Sequence, residues 1–376
     1  MVFGSAHAHH GVHTVRWYDL KECVWREGST GERKITALEW ASGASESDTV
    51  QHIWAGTRDG SLLLLALSSA SSSSSSLADD LEIVDQRLGW HAHPVMHLIR
   101  SGDRMLSIDE GGKCVLFSSS TGHSASESNV KPLASFRHPL GTAGSTGIAW
   151  ASVMKNKVWV AYGNGLRVYN IDDPGARPVS LTPSAAAIGA VMCGTTVLSR
   201  PGRVYTGHEG GVICTWSCSS EEDENTGSPA FIGATKVGVS DILSLVGVND
   251  RLWSAGRKGI VSIYALPPPG GQSKVSNGKM TNGISSKAIE AGDEECHGEL
   301  WKVTNEFIAH PDAPVISLVV DPFSIEKMGR LAVMSIGRDE QVKFWDGLLG
   351  TDWIGEFAST PIDECLMPCR VEARGT

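Results

Sequence analysis

A hairpin pattern that recurs along the chain is the feature that most restricts its fold. Each copy has an apolar strand ending in small residues, a short polar turn with glycine, and an alternating strand that ends in a large apolar residue. Turns such as Asp-Gly, Gly-Gly and Asn-Gly tolerate the positive φ angles that tight hairpins require, so each copy predicts a β-hairpin. The copies are IWAGTRDGSLLLLAL from Ile53, MLSIDEGGKCVLF from Met105, VWVAYGNGLRVYN from Val158, VYTGHEGGVICTW from Val204, LWSAGRKGIVSIYAL from Leu252 and LAVMSIGRDEQVKFWD from Leu331.

Another apolar strand precedes most of these hairpins, and the chain beyond each hairpin supplies an outer strand. The preceding strands are KITALEWA from Lys34, HPVMHLIR from His93, TGIAWASV from Thr146, SDILSLVG from Ser240 and APVISLVVD from Ala313. A repeat of about fifty residues is close to that of propeller blades, which must pack side by side because one blade cannot bury both of its faces. The sequence therefore predicts an all-β fold, a β-propeller of the WD-repeat type with six or seven four-stranded blades.

The whole repeat region, residues 1–360, is expected to be one propeller, followed by a C-terminal tail, 361–376. The strand HTVRWYDL, from His13 to Leu20, is expected to complete the last blade by pairing beside VKFWD, because closure removes exposed sheet edges. Three polar segments are too hydrophilic to pack and are predicted to be disordered loops. They lie at about 68–79, 219–228 and 267–298.

Charge and hydropathy exclude several functional classes. The formal net charge of −10 over 376 residues argues against nucleic-acid binding, which needs a basic face to displace counterions from phosphates. The sequence contains no run of eighteen apolar residues and no charged-then-apolar leader at its N-terminus, so we expect neither a transmembrane segment nor secretion. A cytoplasmic protein is expected, and a peripheral membrane contact is left open.

The histidine-rich stretch HAHPVMH places His91, His93 and His97 on one face of a strand, where they would be able to hold a metal. A second copy of the pattern, IAHPDAPVISL, keeps only His310, in the place of His93. A histidine repeated at the start of a blade favours a structural, hydrogen-bonding role, so we predict that role for His93 and His310. The eight cysteines are scattered without the spacing of a zinc site, and we predict no metal and no cofactor.

No catalytic residue is predicted, because the chain has no G-x-S-x-G elbow and its glycine turns lead into strands instead of the helix that a phosphate loop needs. A candidate interaction surface comes from basic residues at the hairpin tips, which are expected to project at one surface. These are Arg58, Arg257, Lys258 and Arg338. An acidic protein partner or a phosphoinositide head group would suit them; the alternative is that each is only a solvated turn residue.

The last repeat carries a family resemblance. The segment from Ala309 to Phe357, with its AHPxxPV start, its SxGxDxxVxxWDG strand pair and the following DW, resembles the final blade of the WD-repeat region that precedes the catalytic domain in fungal inositol polyphosphate 5-phosphatases. The stretches HTVRWYDL, WAGTRDGSLLLL and HAHPVMHLIRSGDRMLSIDEGGKCVLF are similar to earlier blades, so the resemblance covers most of the chain.

The resemblance implies a phosphatase domain whose Asn and Glu hold Mg²⁺, with GDxNxR and SDHxP segments, and no position of this sequence matches those motifs. We therefore expect this chain not to be an enzyme. The favoured hypothesis is a non-catalytic propeller that acts as a protein or membrane interaction module. The alternatives are a Mg²⁺-dependent phosphoinositide 5-phosphatase by family and a generic WD-repeat scaffold; the identity of the protein partner stays open.

Overall fold

The computed structural model describes most of the repeat region. The described residues are 2–3, 8–9, 12–19, 24–41, 50–68, 81–119, 132–139, 148–154, 156–184, 188–218, 228–266, 302–321, 324, 331–339, 341–347 and 352–357. Apart from residues 68 and 228, the three predicted disordered loops lie outside these ranges, as does the predicted tail. Nothing in the described part is a helix long and apolar enough to cross a membrane.

Six four-stranded sheets share one order, in which each strand lies beside the next along the chain. We call these sheets blades 1 to 6. Blade 1 contains β5 (Ile35–Trp40), β6 (Val50–Thr57), β7 (Leu62–Ser68) and β8 (Leu81–Arg87). Blade 2 contains β9 (Val95–Ser101), β10 (Arg104–Asp109), β11 (Lys113–Ser118) and β12 (Ala134–Arg137). Blade 3 contains β13 (Ala151–Met154), β14 (Lys157–Tyr162), β15 (Gly165–Asn170) and β16 (Val179–Leu181).

The other three blades repeat this arrangement. Blade 4 contains β17 (Val191–Thr196), β18 (Arg203–His208), β19 (Val212–Ser217) and β20 (Ala230–Lys236). Blade 5 contains β21 (Ile242–Val248), β22 (Arg251–Gly256), β23 (Ile260–Ala265) and β24 (Lys302–Ile308). Blade 6 contains β25 (Val315–Asp321), β26 (Ala332–Gly337), β27 (Val342–Asp346) and β28 (Asp352–Phe357). The predicted all-β fold with four-stranded units is confirmed.

The N-terminal residues form a sheet of a different order. It contains β1 (Val2–Phe3), β2 (Ala8–His9), β3 (Val12–Asp19) and β4 (Val24–Gly31), and β3 pairs antiparallel with each of the other three. The prediction that HTVRWYDL pairs beside VKFWD is therefore wrong. The strand β27 already has β26 on one side and β28 on the other, so it offers no free edge.

The described chain divides into two compact units, which we describe separately. The first comprises residues 1–159 and 169–177, and the second comprises 160–168 and 178–366. In the first unit, Trp54 and Leu64 of blade 1 pack against Leu98 and Phe117 of blade 2. In the second unit, Trp253 and Ile263 of blade 5 pack in one cluster with Trp345 of blade 6. Within each unit, apolar side chains thus fill the space between these two neighbouring blades, as expected for sheets that cannot bury both faces alone.

A β-bulge disturbs the pairing of the first and second strands in five of the blades, at the end where the chain enters the first strand. The turn from the second to the third strand lies at this same end. We call it the turn end of a blade, and it carries the residues considered below.

Candidate functional site

A buried hydrogen-bond network joins the turn end of blade 6. Asp339, in the turn after β26, accepts a hydrogen bond from Nδ1 of His310 at 3.0 Å. The other ring nitrogen of His310 lies 2.8 Å from Oγ of Ser335, and the indole N–H of Trp345 donates to the same Oγ at 2.9 Å. His310 and Ser335 are fully buried. This network connects β26 and β27 to the segment that leads into β25.

Blade 2 contains a related network, built on His91. Its Nδ1 lies 3.1 Å from a carboxylate oxygen of Asp109, and its Nε2 lies 2.7 Å from Oγ of Ser107. The side chain of Phe117 stands ten residues after Ser107, just as Trp345 stands ten residues after Ser335. Burial lowers the pKa of His91, although Asp109 opposes that shift. The structural role expected of His93 thus belongs to His91, whereas the side chain of His93 is exposed.

In blade 4 the histidine comes from a strand instead of a leading segment. His208, the last residue of β18, places Nε2 2.8 Å from Oγ1 of Thr206, which also accepts the indole N–H of Trp216 at 2.8 Å. Its Nδ1 lies 2.9 Å from the carbonyl oxygen of Gly189. Burial lowers the pKa of His208 to about 4. The imidazole still connects the leading segment of the blade to its second and third strands.

The Asp–His–Ser order of contacts is that of a nucleophilic triad, but these networks do not fit that chemistry. Ser107 and Ser335 are both fully buried, so no substrate carbonyl reaches their hydroxyl oxygens. The histidines instead stabilise the turn ends, because each bonds to a buried hydroxyl on the second strand of its blade and to a second polar group nearby. His97 has a further structural contact, with Nε2 2.6 Å from the carbonyl oxygen of Ile148. Within the described ranges, no three His, Cys, Asp or Glu side chains are grouped so as to hold a metal ion.

The four predicted surface residues all lie at turn ends and are exposed. Arg58 belongs to the first unit, and its backbone N–H donates to the carbonyl of Lys34. Arg257, Lys258 and Arg338 belong to the second unit. Each arginine occupies the same position, directly after the second strand of its blade. The structure brings the three residues of the second unit to the turn ends of two blades that are consecutive along the chain.

Arg257 differs from the other two because its guanidinium is held in place. Its Nε–H donates to one carboxylate oxygen of Asp241, in the segment that leads into β21. The other carboxylate oxygen accepts the backbone N–H of Gly210 at 2.8 Å. That hydrogen bond and the one from Arg257 hold the pKa of Asp241 below its usual range.

Sequence reasoning named His91 only as a possible metal ligand, and it missed His208 and Asp241. The Pro that follows both His93 and His310 suggested that these two histidines are equivalent, whereas in the structure it is His91 that contacts Ser107 and Asp109. His208 has no counterpart at its own sequence position in the other blades. No local pattern marks Asp241, since its partners lie 31 and 16 residues away.

Comparison with known proteins gives one curated relative. A probable inositol polyphosphate 5-phosphatase of Schizosaccharomyces pombe is 24% identical over 340 residues, which are 88% of this chain. The chain spans only 24% of that relative's length. No family profile matches this chain.

Solved structures agree on the fold. A chain of the mitotic checkpoint complex superposes with a TM-score of 0.58 at 13% identity, over 89% of this chain and 82% of its own. Sqt1 of Chaetomium thermophilum, bound to the N-terminus of a ribosomal protein, gives 0.58 at 14%, over 92% and 84%. The β-propeller domain of Cps50 (Swd1) of Myceliophteria thermophila gives 0.53 at 11%, over 85% of each chain. This chain is accordingly a β-propeller of the WD type, and the residues that the structure describes form six four-stranded blades.

Proposed function

We propose that this chain is a non-catalytic interaction module that binds a protein partner through the turn ends of its blades. The observation that carries the proposal is the recurrence of an exposed arginine directly after the second strand in three blades. The strands already fix the backbone of these turns. Binding would therefore cost the partner conformational entropy, but it would not require a loop of this chain to become ordered. One structurally similar propeller, Sqt1, is bound to a peptide terminus in its solved structure.

The proposed surface in the second unit consists of Arg257, Lys258 and Arg338. Arg58 holds the equivalent position in the first unit and is treated separately. A cytoplasmic location is part of the proposal. Contact with a phosphoinositide head group is the competing use of the same cations.

A pair of charge-reversed variants tests the surface. Proteins captured from a cell extract by the purified chain are compared with those captured by Arg257→Glu/Arg338→Glu and, separately, by Arg58→Glu. We expect the amount of each specific partner captured by the double variant to fall by about tenfold or more at low salt, where exposed charges are least screened. Vesicles with and without a phosphoinositide, tested in parallel, identify a lipid contact.

A matched control is Arg203→Glu, since Arg203 starts β18 and so lies at the end of blade 4 that is opposite its turn end. Unchanged capture by a correctly folded double variant would show that the turn-end cations are only solvated residues.

A second candidate function is that of a phosphoinositide 5-phosphatase, acting in phosphatidylinositol dephosphorylation. The observation that favours it is the similarity to the S. pombe relative, whose name is that of a probable inositol polyphosphate 5-phosphatase. Under the first candidate, by contrast, the propeller itself does not catalyse and would position a phosphatase on its membrane or protein partner. The two candidates are separated by the activity measurement described below.

A further inference from the structure

The turn of blade 5 presents an arginine whose orientation is set before any partner arrives. The contact from Nε of Arg257 to Asp241 fixes one edge of the guanidinium, and Gly210 fixes Asp241 from the other side. The Arg257 side chain nevertheless remains 62% exposed, whereas that of Asp241 is 22% exposed. The two Nη groups are therefore available to solvent on a side chain that has already lost part of its rotamer freedom. A preorganised fork of this kind suits a carboxylate or a phosphate.

The backbone beneath this arginine is also tightly held. Gly259, in the same turn, has a φ of +71°, and a Cβ there would lie 1.8 Å from the carbonyl oxygen of His310. The N–H of Ala309 donates to the carbonyl of Gly259 at 2.8 Å. The turn of blade 5 thus packs against the segment 309–314 that leads into blade 6.

Arg338 lies on the other side of that segment. Its backbone N–H donates to the carbonyl of Pro314 at 2.9 Å. The segment 309–314 is therefore flanked by Arg257 and Lys258 at one edge and by Arg338 at the other.

Apolar side chains are exposed at the same turn ends as these cations. Val239, two residues before Asp241, is 79% exposed. Ile316 is the bulge residue of β25, next to Val315, and it is 51% exposed. A ligand that fills this surface therefore combines a negative group with an aliphatic one.

Acidic residues at the same turn ends decide between a membrane and a peptide. Besides Asp241, Glu209 stands in the turn of blade 4, and Asp312 is exposed within the segment 309–314. Asp339 accepts its hydrogen bond from His310 beside Arg338. An anionic membrane presents negative charge over a broad plane, so it would be repelled by these acids while it approached the cations. A peptide can place a single carboxylate at Arg257. Its neutral or basic groups can then face the acidic residues of these turn ends.

We propose that Arg257, oriented by Asp241 and accompanied by Lys258, binds a single carboxylate side chain of an extended segment in the protein partner. An aliphatic neighbour of that carboxylate packs near Val239 or Ile316. The inference rests on the proposed interaction function and specifies the chemistry of the partner. Asp241 acts as a positioning residue, because it reaches the ligand only through Arg257.

Selection from a random peptide library tests this inference. A displayed library of heptapeptides is selected on the purified full chain, and the consensus peptide is then synthesised with a fluorescent label for anisotropy titration. We expect Asp or Glu next to Leu, Ile or Val in the consensus. We also expect Arg257→Lys to weaken its binding by roughly tenfold although the charge is kept, because lysine lacks the planar fork.

The variant Asp241→Asn distinguishes positioning from simple attraction. Removal of a negative charge would strengthen binding of an acidic peptide if only the net field mattered, whereas loss of the carboxylate that orients Arg257 is expected to weaken it severalfold. Arg203→Ala is the matched control and should leave the affinity unchanged.

Three outcomes would overturn the inference. A consensus without acidic residues, or an acidic consensus whose affinity is insensitive to Arg257→Lys and tightened by Asp241→Asn, would refute the inference alone. The absence of any enriched peptide, with binding to phosphoinositide vesicles instead, would refute the proposed protein-binding function as well.

Discussion

At the scale of single residues, the buried histidines share one hydrogen-bonding role, but they come from two different places in a blade. His91 and His310 come from segments that lead into a blade, whereas His208 comes from a second strand and reaches back to such a segment. In each case the imidazole bonds to a Ser or Thr hydroxyl that lies on the second strand of the blade. The position of the histidine along the blade therefore varies, while its contact with the hydroxyl of the second strand stays the same.

Replacing His310 by Ala should destabilise the protein strongly. The substitution leaves Ser335 and Asp339 without their shared partner and opens a cavity, for which a loss of about 3 kcal/mol is expected. Thermal or urea unfolding of His310→Ala measures this loss. The control is His93→Ala, whose exposed side chain should cost less than about 0.5 kcal/mol. Equal costs for the two variants would contradict the assignment of His310 to the network.

His208 should make stability depend on pH in the mildly acidic range. Its folded-state pKa is about 4, below the ordinary value of 6.5, so the unfolded chain binds more protons between these values. Its contribution is present above about pH 6.5 and is lost as the pH falls towards 4, a difference of about 3 kcal/mol. The variant His208→Gln should therefore show a flatter decline in unfolding free energy from pH 7 to pH 4.5 than the unsubstituted protein. Parallel curves for the two proteins would exclude His208 as the titrating group.

At the scale of elements, the hairpins follow from local chemistry, but the use of the N-terminal strand does not. Residues Val15 and Trp17 of β3 are buried in one cluster with Ile35, Ile53 and Leu65 of blade 1. The strand thus belongs to the N-terminal sheet and packs on blade 1. The buried alternation in HTVRWYDL correctly indicates a strand, but alternation does not specify which strand lies beside it.

Trp17 tests this placement. Trp17→Ala removes a side chain that is only 5% exposed and should cost about 3 to 5 kcal/mol of unfolding free energy. Val12→Ala is the control on the same strand, because Val12 is 41% exposed. Melting temperatures of the two variants give the comparison, and a small effect of Trp17→Ala would mean that the N-terminal sheet is not part of the folded core.

At the scale of the whole molecule, the question is whether the propeller binds or also catalyses. The sequence has no match to the metal-binding Asn and Glu or to the SDHxP segment that the resemblance implies for the phosphatase. Because those residues would position the Mg²⁺ that stabilises charge on a transferring phosphoryl group, their absence from the sequence motivates an expectation of no activity. We expect the purified chain to release no phosphate from inositol phosphates or phosphoinositides, with or without Mg²⁺. Phosphate release above a heat-denatured control would favour the phosphatase candidate and count against a purely binding role.

The sequence by itself determined the repeated hairpins, the all-β class and the range of blade numbers, because turn residues and strand alternation act over a few neighbouring positions. It also indicated where exposed arginines recur. One first strand, Val191–Thr196, escaped detection, since Gly194 and two threonines interrupt its apolar pattern.

Only the tertiary structure decided which side chains meet. The hydrogen bonds that orient Arg257 join Gly210 at the turn end of blade 4 to Asp241 and Arg257 at the turn end of blade 5. The structural role of His91, in place of His93, depends on which imidazole ring reaches Ser107 and Asp109. The exclusion of β3 from the edge of β27 similarly depends on β26 and β28, which occupy both edges of that strand. Such contacts depend on distances between positions far apart in the chain, and no local periodicity encodes those distances.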